Sequence, residues 1–233
     1  FEKYLPQHFV LYEPKDIVAG DFYWLETIHY DNEPDFTLFA AADCTGHGVP
    51  GAMVSVICNN GLNRSVHEHG KRVPGEILDK CREIVVRELD KSEEEVKDGM
   101  DIALCSFDYK TRVINYAGAY NPLYIVRNGE LIIHKADKFP IGSFVETEKQ
   151  GFTNKEIQLE KGDAIYVFSD GYQDQFGGKK GKKFMVKRFQ DLLITISDKS
   201  VDEQREILDR TIEDWKGELE QVDDILIIGV KIE

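Results

Sequence analysis

Asn128-Gly129 lies between Leu123-Tyr124-Ile125-Val126 and Leu131-Ile132-Ile133-His134. An Asn-Gly pair between two apolar runs favours a two-residue hairpin whose central residues both take positive φ. Glycine adopts that conformation without steric cost, and asparagine tolerates it better than most residues. This stretch is therefore committed to antiparallel pairing. The surrounding sequence agrees. The runs Asp21–Ile28 and Phe36–Ala42 are rich in aromatic and β-prone residues on either side of Asn32-Glu33-Pro34, and are expected to pair as antiparallel neighbours. Further strands are expected at Met100–Phe107, Val113–Ala117, Pro122–Val126, Gly151–Leu159 and Ala164–Ser169, with a buried apolar strand over Asp224–Val230.

Helical spacing occurs in two blocks. Pro50–Val66 carries Pro50 where a first-turn proline belongs. Ile77, Leu78, Cys81, Ile84, Val85 and Leu89 share one helix face behind Pro74, and the acidic run Glu93-Glu94-Glu95 then reads as a loop. The second block comprises Val186–Ile196 and Val201–Trp215. With no repeat and no long linker, residues 1–233 read as one α+β domain of two antiparallel sheets packed face to face with helices outside.

Net charge is −14, from 43 acidic and 29 basic residues, which argues against a nucleic-acid or anionic-lipid partner. No apolar run approaches the ~20 residues that span a bilayer, and no signal-peptide pattern opens the chain. The four cysteines, Cys44, Cys58, Cys81 and Cys105, are scattered, as suits a reducing cytoplasm better than a disulfide framework. The first residues, Phe1-Glu2-Lys3-Tyr4, lack an initiating Met and read as a cut from a longer protein.

Chemistry is expected where an Asp ends a β-like run, usually beside glycine. The four places are Gly20-Asp21, Ala42-Asp43-Cys44-Thr45-Gly46-His47-Gly48, Phe168-Ser169-Asp170-Gly171 and Val222-Asp223-Asp224. A carboxylate at a strand terminus is held rigidly, and neighbouring glycines allow close approach to the backbone. Several carboxylates gather at low cost only around a cation, and hard ions such as Mg²⁺ or Mn²⁺ favour oxygen ligands. Each element alone has an ordinary reading as a turn or a cap.

Taken in order, the segments resemble the PPM-type, protein phosphatase 2C-like serine/threonine phosphatases, in their bacterial SpoIIE-type branch. The resemblance rests on Asp16-Ile17-Val18-Ala19-Gly20-Asp21-Phe22-Tyr23-Trp24, Ala42–Ala52, Tyr116-Ala117-Gly118-Ala119-Tyr120-Asn121-Pro122, Phe168–Gly171 and Val222–Ile225. It implies a four-layer αββα sandwich with two Mn²⁺ or Mg²⁺ ions that activate a water for in-line attack on a phosphoserine or phosphothreonine ester. Asp43 would bridge the ions, and Asp21, Asp170, Asp223 and the Cys44 carbonyl would complete their shell. Asp224 is a supporting residue, Gly171 keeps the loop after Asp170 tight, and Asp101, ahead of Asp98, is the candidate for a third, looser metal.

His47 is the nearest candidate in sequence for a general acid, with capping of the following helix as its alternative reading. Lys15 is the sole basic residue where the eukaryotic branch holds a phosphate-gripping arginine. The Lys179–Lys183 stretch reads either as a steering patch or as a solvated flap. By family position, the helices opening at Pro50 and Pro74 would couple homodimer or partner contacts to metal-site assembly. The implied setting is a cytoplasmic output domain at the C-terminus of a signalling protein, tethered to an upstream sensor or membrane region. The implied substrate is a phosphorylated protein such as an anti-sigma-factor antagonist. The alternative is a catalytically silent module of the same fold acting through partner binding.

Overall fold

A computed structural model describes residues 5, 7–30, 33–89, 98–143 and 151–233, with backbone alone at 29–30 and 33–35. The elements follow in the order β1 (His8–Glu13), β2 (Phe22–Tyr30), β3 (Glu33–Cys44), α1 (Gly48–His67), α2 (Pro74–Leu89), β4 (Gly99–Asp108), β5 (Val113–Ala119), β6 (Leu123–Arg127) and β7 (Glu130–His134). They continue with β8 (Ile141–Gly142), β9 (Lys155–Gln158), β10 (Ala164–Phe168), α3 (Gly171–Asp174), β11 (Phe176–Gly177), β12 (Lys182–Lys183), α4 (Val186–Ile196), α5 (Val201–Lys216) and β13 (Ile225–Lys231). The expected loop at Glu93-Glu94-Glu95 and the opening Phe1–Tyr4 lie outside the described residues.

One sheet runs β1-β13-β10-β6-β7 and the other β2-β3-β4-β5-β9, with β8 added to β4. Every strand pair within both sheets is antiparallel. The β6–β7 turn has φ 52° at Asn128 and 80° at Gly129, the left-handed pair expected of Asn-Gly.

Alternation along the central strands produces the layers. In β3, Phe39 and Ala41 face the other sheet, whereas Leu38, Ala40 and Ala42 face the first helices. In β13, Leu226, Ile228 and Val230 point between the sheets, and Ile225 and Ile227 point at α4 and α5. Strands covered on both faces read as unbroken apolar runs rather than as alternating ones. Val54, Cys58, Leu62 and Val66 of α1 pack beside Ile77, Leu78, Cys81 and Val85 of α2. Phe189, Leu193 and Ile196 of α4 join Leu208 and Ile212 of α5 on the opposite side. The result is the helix–sheet–sheet–helix arrangement anticipated from the sequence. All four cysteines are free and buried. No helix among the described residues is long and apolar enough to cross a membrane.

Three local expectations change. α1 begins at Gly48 rather than Pro50, which places Pro50 third in the first turn, where a missing N–H is harmless. The strand expected over Gly151–Leu159 shrinks to Lys155–Gln158. Its first half is held instead by side chains: Phe152 N–H donates to Asp79 at 2.8 Å and Thr153 N–H to Asp137 at 2.7 Å. The lysine-rich stretch is a small β11–β12 hairpin, docked by Gly178 N–H on the Trp215 carbonyl at 2.8 Å, with Lys183 paired to Asp174.

Candidate active site

The chain directions bring five strand ends to one edge of the sandwich. β2 starts where β3 finishes, since Phe22 pairs with Ala42, and β4 starts there too, with Asp101 directly opposite Asp43. In the facing sheet, β10 ends where β13 begins, with Phe168 opposite Ile227. Asp21, Asp43 and Asp101 therefore converge from one sheet, and Asp170, Asp223 and Asp224 from the other.

Their mutual field is visible in their acidity. The Asp21 carboxyl is pushed far up by burial and then by Asp43, opposed by a hydrogen bond from Ser169. Asp43 is raised by burial, then by Asp170, Asp223 and Asp101, although the Asp170 N–H donates to it. Asp101 rises to about 7, through burial and then Asp170. Asp170 is raised by burial and then by Asp174 and Asp223. Desolvation with like-charge crowding is the environment in which a carboxylate either keeps its proton or takes a cation.

Asp224, expected only to support the site, has a defined task. Its Oδ1 accepts the Lys15 N–H at 2.8 Å, and its Oδ2 accepts those of Gly20 at 2.8 Å and Asp21 at 3.3 Å. This buried carboxylate thus fastens the segment from Lys15 to Asp21 onto the opposite sheet. Asp223 stays half-exposed, and its Oδ1 accepts only the Asp224 N–H among the hydrogen bonds of the described residues, at 2.9 Å.

Two glycines make the approach possible. A Cβ on Gly20 would lie 2.4 Å from the Gly46 carbonyl oxygen, and one on Gly171 would lie 2.0 Å from that of Asp224. Gly171 therefore does more than tighten its own loop: it leaves room for the neighbouring strand end.

Two residues escaped the sequence reading. Ser169 ties β10 to β13, donating its N–H to the Leu226 carbonyl at 2.9 Å while its Oγ accepts the Leu226 N–H at 3.0 Å. Tyr12 donates its hydroxyl to the Asp21 carbonyl at 2.9 Å. Ser169 lies within the Phe168–Gly171 segment, where its hydroxyl is a visible signal; nothing in the sequence around Tyr12 marks it.

His47 is the N-cap residue of α1, but its side chain makes no capping hydrogen bond, which removes the capping alternative. Its Nδ1 lies 2.9 Å from Asp16 Oδ2 and its Nε2 lies 3.1 Å from Lys15 Nζ. The pairing assigns Nδ1–H as donor and Nε2 as acceptor from the ammonium.

The donor set suits a hard divalent cation. The clearest sign is Asp21 Oδ2, a buried carboxylate oxygen with no hydrogen-bond partner, because an oxygen removed from water normally finds a donor or an ion. No three His, Cys, Asp or Glu side chains among the described residues already close on a common metal-binding point.

The family model for stage II sporulation protein E matches residues 33–233. Among solved structures, the chain is similar to the SiaA-PP2C domain of Pseudomonas aeruginosa, at 30% identity and a TM-score of 0.86, covering 100% of this chain and 89% of that one. The phosphatase domain of SpoIIE with a regulatory fragment, from Bacillus subtilis, shares the fold at 16% identity and a TM-score of 0.72, over 97% of this chain and 63% of that one. RsbX, solved in complex with magnesium, shares it at 14% identity and a TM-score of 0.63, over 96% and 94% of the two chains. No curated protein sequence matches. The match over most of the chain, together with the carboxylate edge, shows that this chain belongs to the SpoIIE branch of the PPM-type serine/threonine phosphatases, an enzyme family of phosphoester hydrolases.

Proposed function

We propose that the domain hydrolyses phosphoserine or phosphothreonine on a protein partner, using two divalent cations, Mn²⁺ or Mg²⁺, held by Asp21, Asp43, Asp170, Asp223 and the Cys44 carbonyl. The observation that carries this reading is the unpartnered buried Asp21 Oδ2, set among carboxyls whose acidities are suppressed by burial and one another. Asp43 would bridge the cations, a role supported by its position opposite Asp101 and by the influence of Asp170, Asp223 and Asp101 on its carboxyl. Asp101, across the strand pair from Asp43, is the ligand for a third ion. Bound cations offset the carboxylate charge and make water nucleophilic towards phosphorus near neutral pH.

The remaining work belongs to side chains. Asp224, Tyr12 and Ser169 hold the Asp21 segment in place. His47, oriented by Asp16, would give a proton to the departing serine oxygen from Nε2 once that nitrogen is protonated and releases its hydrogen bond from Lys15, whose ammonium adds positive charge beside it. The same reading makes residues 1–233 a cytoplasmic output domain of a signalling protein, acting on a phosphorylated anti-sigma-factor antagonist or an equivalent partner, with α1 and α2 as the dimer or partner contact.

The test is hydrolysis of an aryl phosphate with Mn²⁺ or Mg²⁺ by the wild type, Asp43→Asn and Asp170→Asn, with cation binding followed calorimetrically. Loss of turnover and of cation binding in both variants is expected. Variants that match the wild type in rate and binding would overturn the assignment.

A further inference from the structure

Beside the carboxylates lies a cleft of about 330 Å³ that the metal chemistry leaves unused. Asp101 and Asp170 are among the residues that line it, so it adjoins the proposed reacting centre. Its lining is mixed: Pro122, Tyr124 and Phe168 stand beside the polar Asn121, Ser169 and Gln173. Its rim carries Tyr120 and Val186, which remain 45% and 43% exposed. Gln173 is uncharged, so the only formal charges in the lining are the two site carboxylates.

The rim is also held in costly conformations. Tyr120 has φ 56° and Met185, next to Val186, has φ 80°. Non-glycine residues take such angles only when their surroundings enforce them. At Tyr120 the enforcement is visible: its N–H donates to the Asp137 carbonyl at 2.9 Å, and the Tyr116 hydroxyl donates to the Asn121 carbonyl at 2.7 Å. At Met185, the N–H donates to the Gln173 carbonyl at 2.8 Å. A large ring and a branched side chain are thus presented to solvent at the rim of the cleft.

We infer that this cleft is a specificity subsite, in which Tyr120 and Val186 receive an apolar side chain flanking the phosphorylated residue of the substrate protein. The inference rests on the phosphatase reading, because the cleft gains this meaning from its continuity with Asp101 and Asp170. An extended peptide advances ~3.3 Å per residue, so a phosphate at the carboxylate edge brings an adjacent residue over the slot. An acidic side chain there would lose solvation against Tyr120 and Val186 without gaining a cationic side chain from the cleft lining.

The experiment uses phosphoserine peptides of one sequence carrying Leu, Gly or Asp at either flanking position. The holo domain is expected to favour Leu over Gly at one of these positions by on the order of tenfold in kcat/KM, expressed mainly in KM, and to disfavour Asp. Tyr120→Gly, which also relieves the positive φ, and Val186→Ser should each bring the Leu-to-Gly ratio close to one, while Tyr120→Phe keeps it. A ratio near one in the wild type, or a preference that survives both Tyr120→Gly and Val186→Ser, overturns the inference. Absence of aryl phosphate turnover by the wild type would instead sink the phosphatase reading. The cleft is then judged by direct binding of the fluorescently labelled peptides: Leu-over-Gly ordering lost in Tyr120→Gly sustains it, and equal binding overturns it.

Discussion

Replacing Asp224 by alanine should damage the site without touching the residues assigned to the cations. The side chain is almost fully buried, and its two oxygens accept two N–H groups at 2.8 Å and a third at 3.3 Å. A hydrogen bond to a charged group contributes about 1.5–3 kcal/mol, and an orphaned buried donor carries its own desolvation cost. Counting the two short bonds and discounting for relaxation of the segment from Lys15 to Gly20, Asp224→Ala should lose about 3–5 kcal/mol of unfolding free energy. Asp224→Asn keeps one acceptor oxygen and should lose roughly half as much.

The measurement is urea denaturation of the metal-free protein, followed by Mn²⁺ titration of the folded variants. Because Asp21 is carried by the released segment, cation affinity should fall by about 10–100-fold, as for other residues that orient ligands from behind. A loss below about 1 kcal/mol in Asp224→Ala would refute the fastening role. So would a large stability loss accompanied by unchanged Mn²⁺ affinity, since the carboxylate would then support the fold and not the site.

Other perturbations separate the remaining parts. Gly171→Ala should cost about 1–3 kcal/mol in denaturation, as overpacking does, because its Cβ would sit 2.0 Å from the Asp224 carbonyl oxygen. Asp21, Asp43 and Asp101 all have folded-state pKa values raised above those of the unfolded chain, Asp101 to about 7. The native state therefore binds more protons than the unfolded one. Metal-free stability should be fullest below about pH 4 as far as these groups are concerned, and decline as pH climbs through 7. Denaturant titrations in chelator at pH 5 and pH 8 read this slope; saturating Mn²⁺ should flatten it, and a rise in stability contributed by these carboxyls would contradict it. His47→Ala should slow phosphoserine peptide hydrolysis on the order of 100-fold while changing aryl phosphate turnover little, because an activated phenolate leaves without a proton. Equal effects on both substrates would remove His47 from the proton-donor role.

What could be read from the sequence had a local cause. The Asn128-Gly129 hairpin needs only two residues to dictate it, and the helices carry their period within themselves. The expected strand at Gly151–Asn154 fails because its backbone donors are captured by Asp79 and Asp137, residues far away along the chain. β1 (His8–Glu13) is β-prone, yet its place is set by β13 at the other end of the molecule. α3 (Gly171–Asp174) has four residues, too few to show a helical period.

The site shows the same division more sharply at Asp223 and Asp224. The two are chemically identical neighbours, yet only one of them meets the backbone donors of segment 15–21. Which one does is decided by Lys15, Gly20 and Asp21, whose N–H groups reach Asp224 across separations of 209, 204 and 203 residues. Segment 15–21 has donors to satisfy as it enters β2, and the carboxylate that meets them is no longer free to hold a cation. Asp21 shows the converse: its backbone is fully engaged by Tyr12 and Asp224, while its Oδ2 has no donor at all. The chemistry of the edge thus follows from which carboxylates the backbone has already claimed, and that assignment exists only once both sheets are in place.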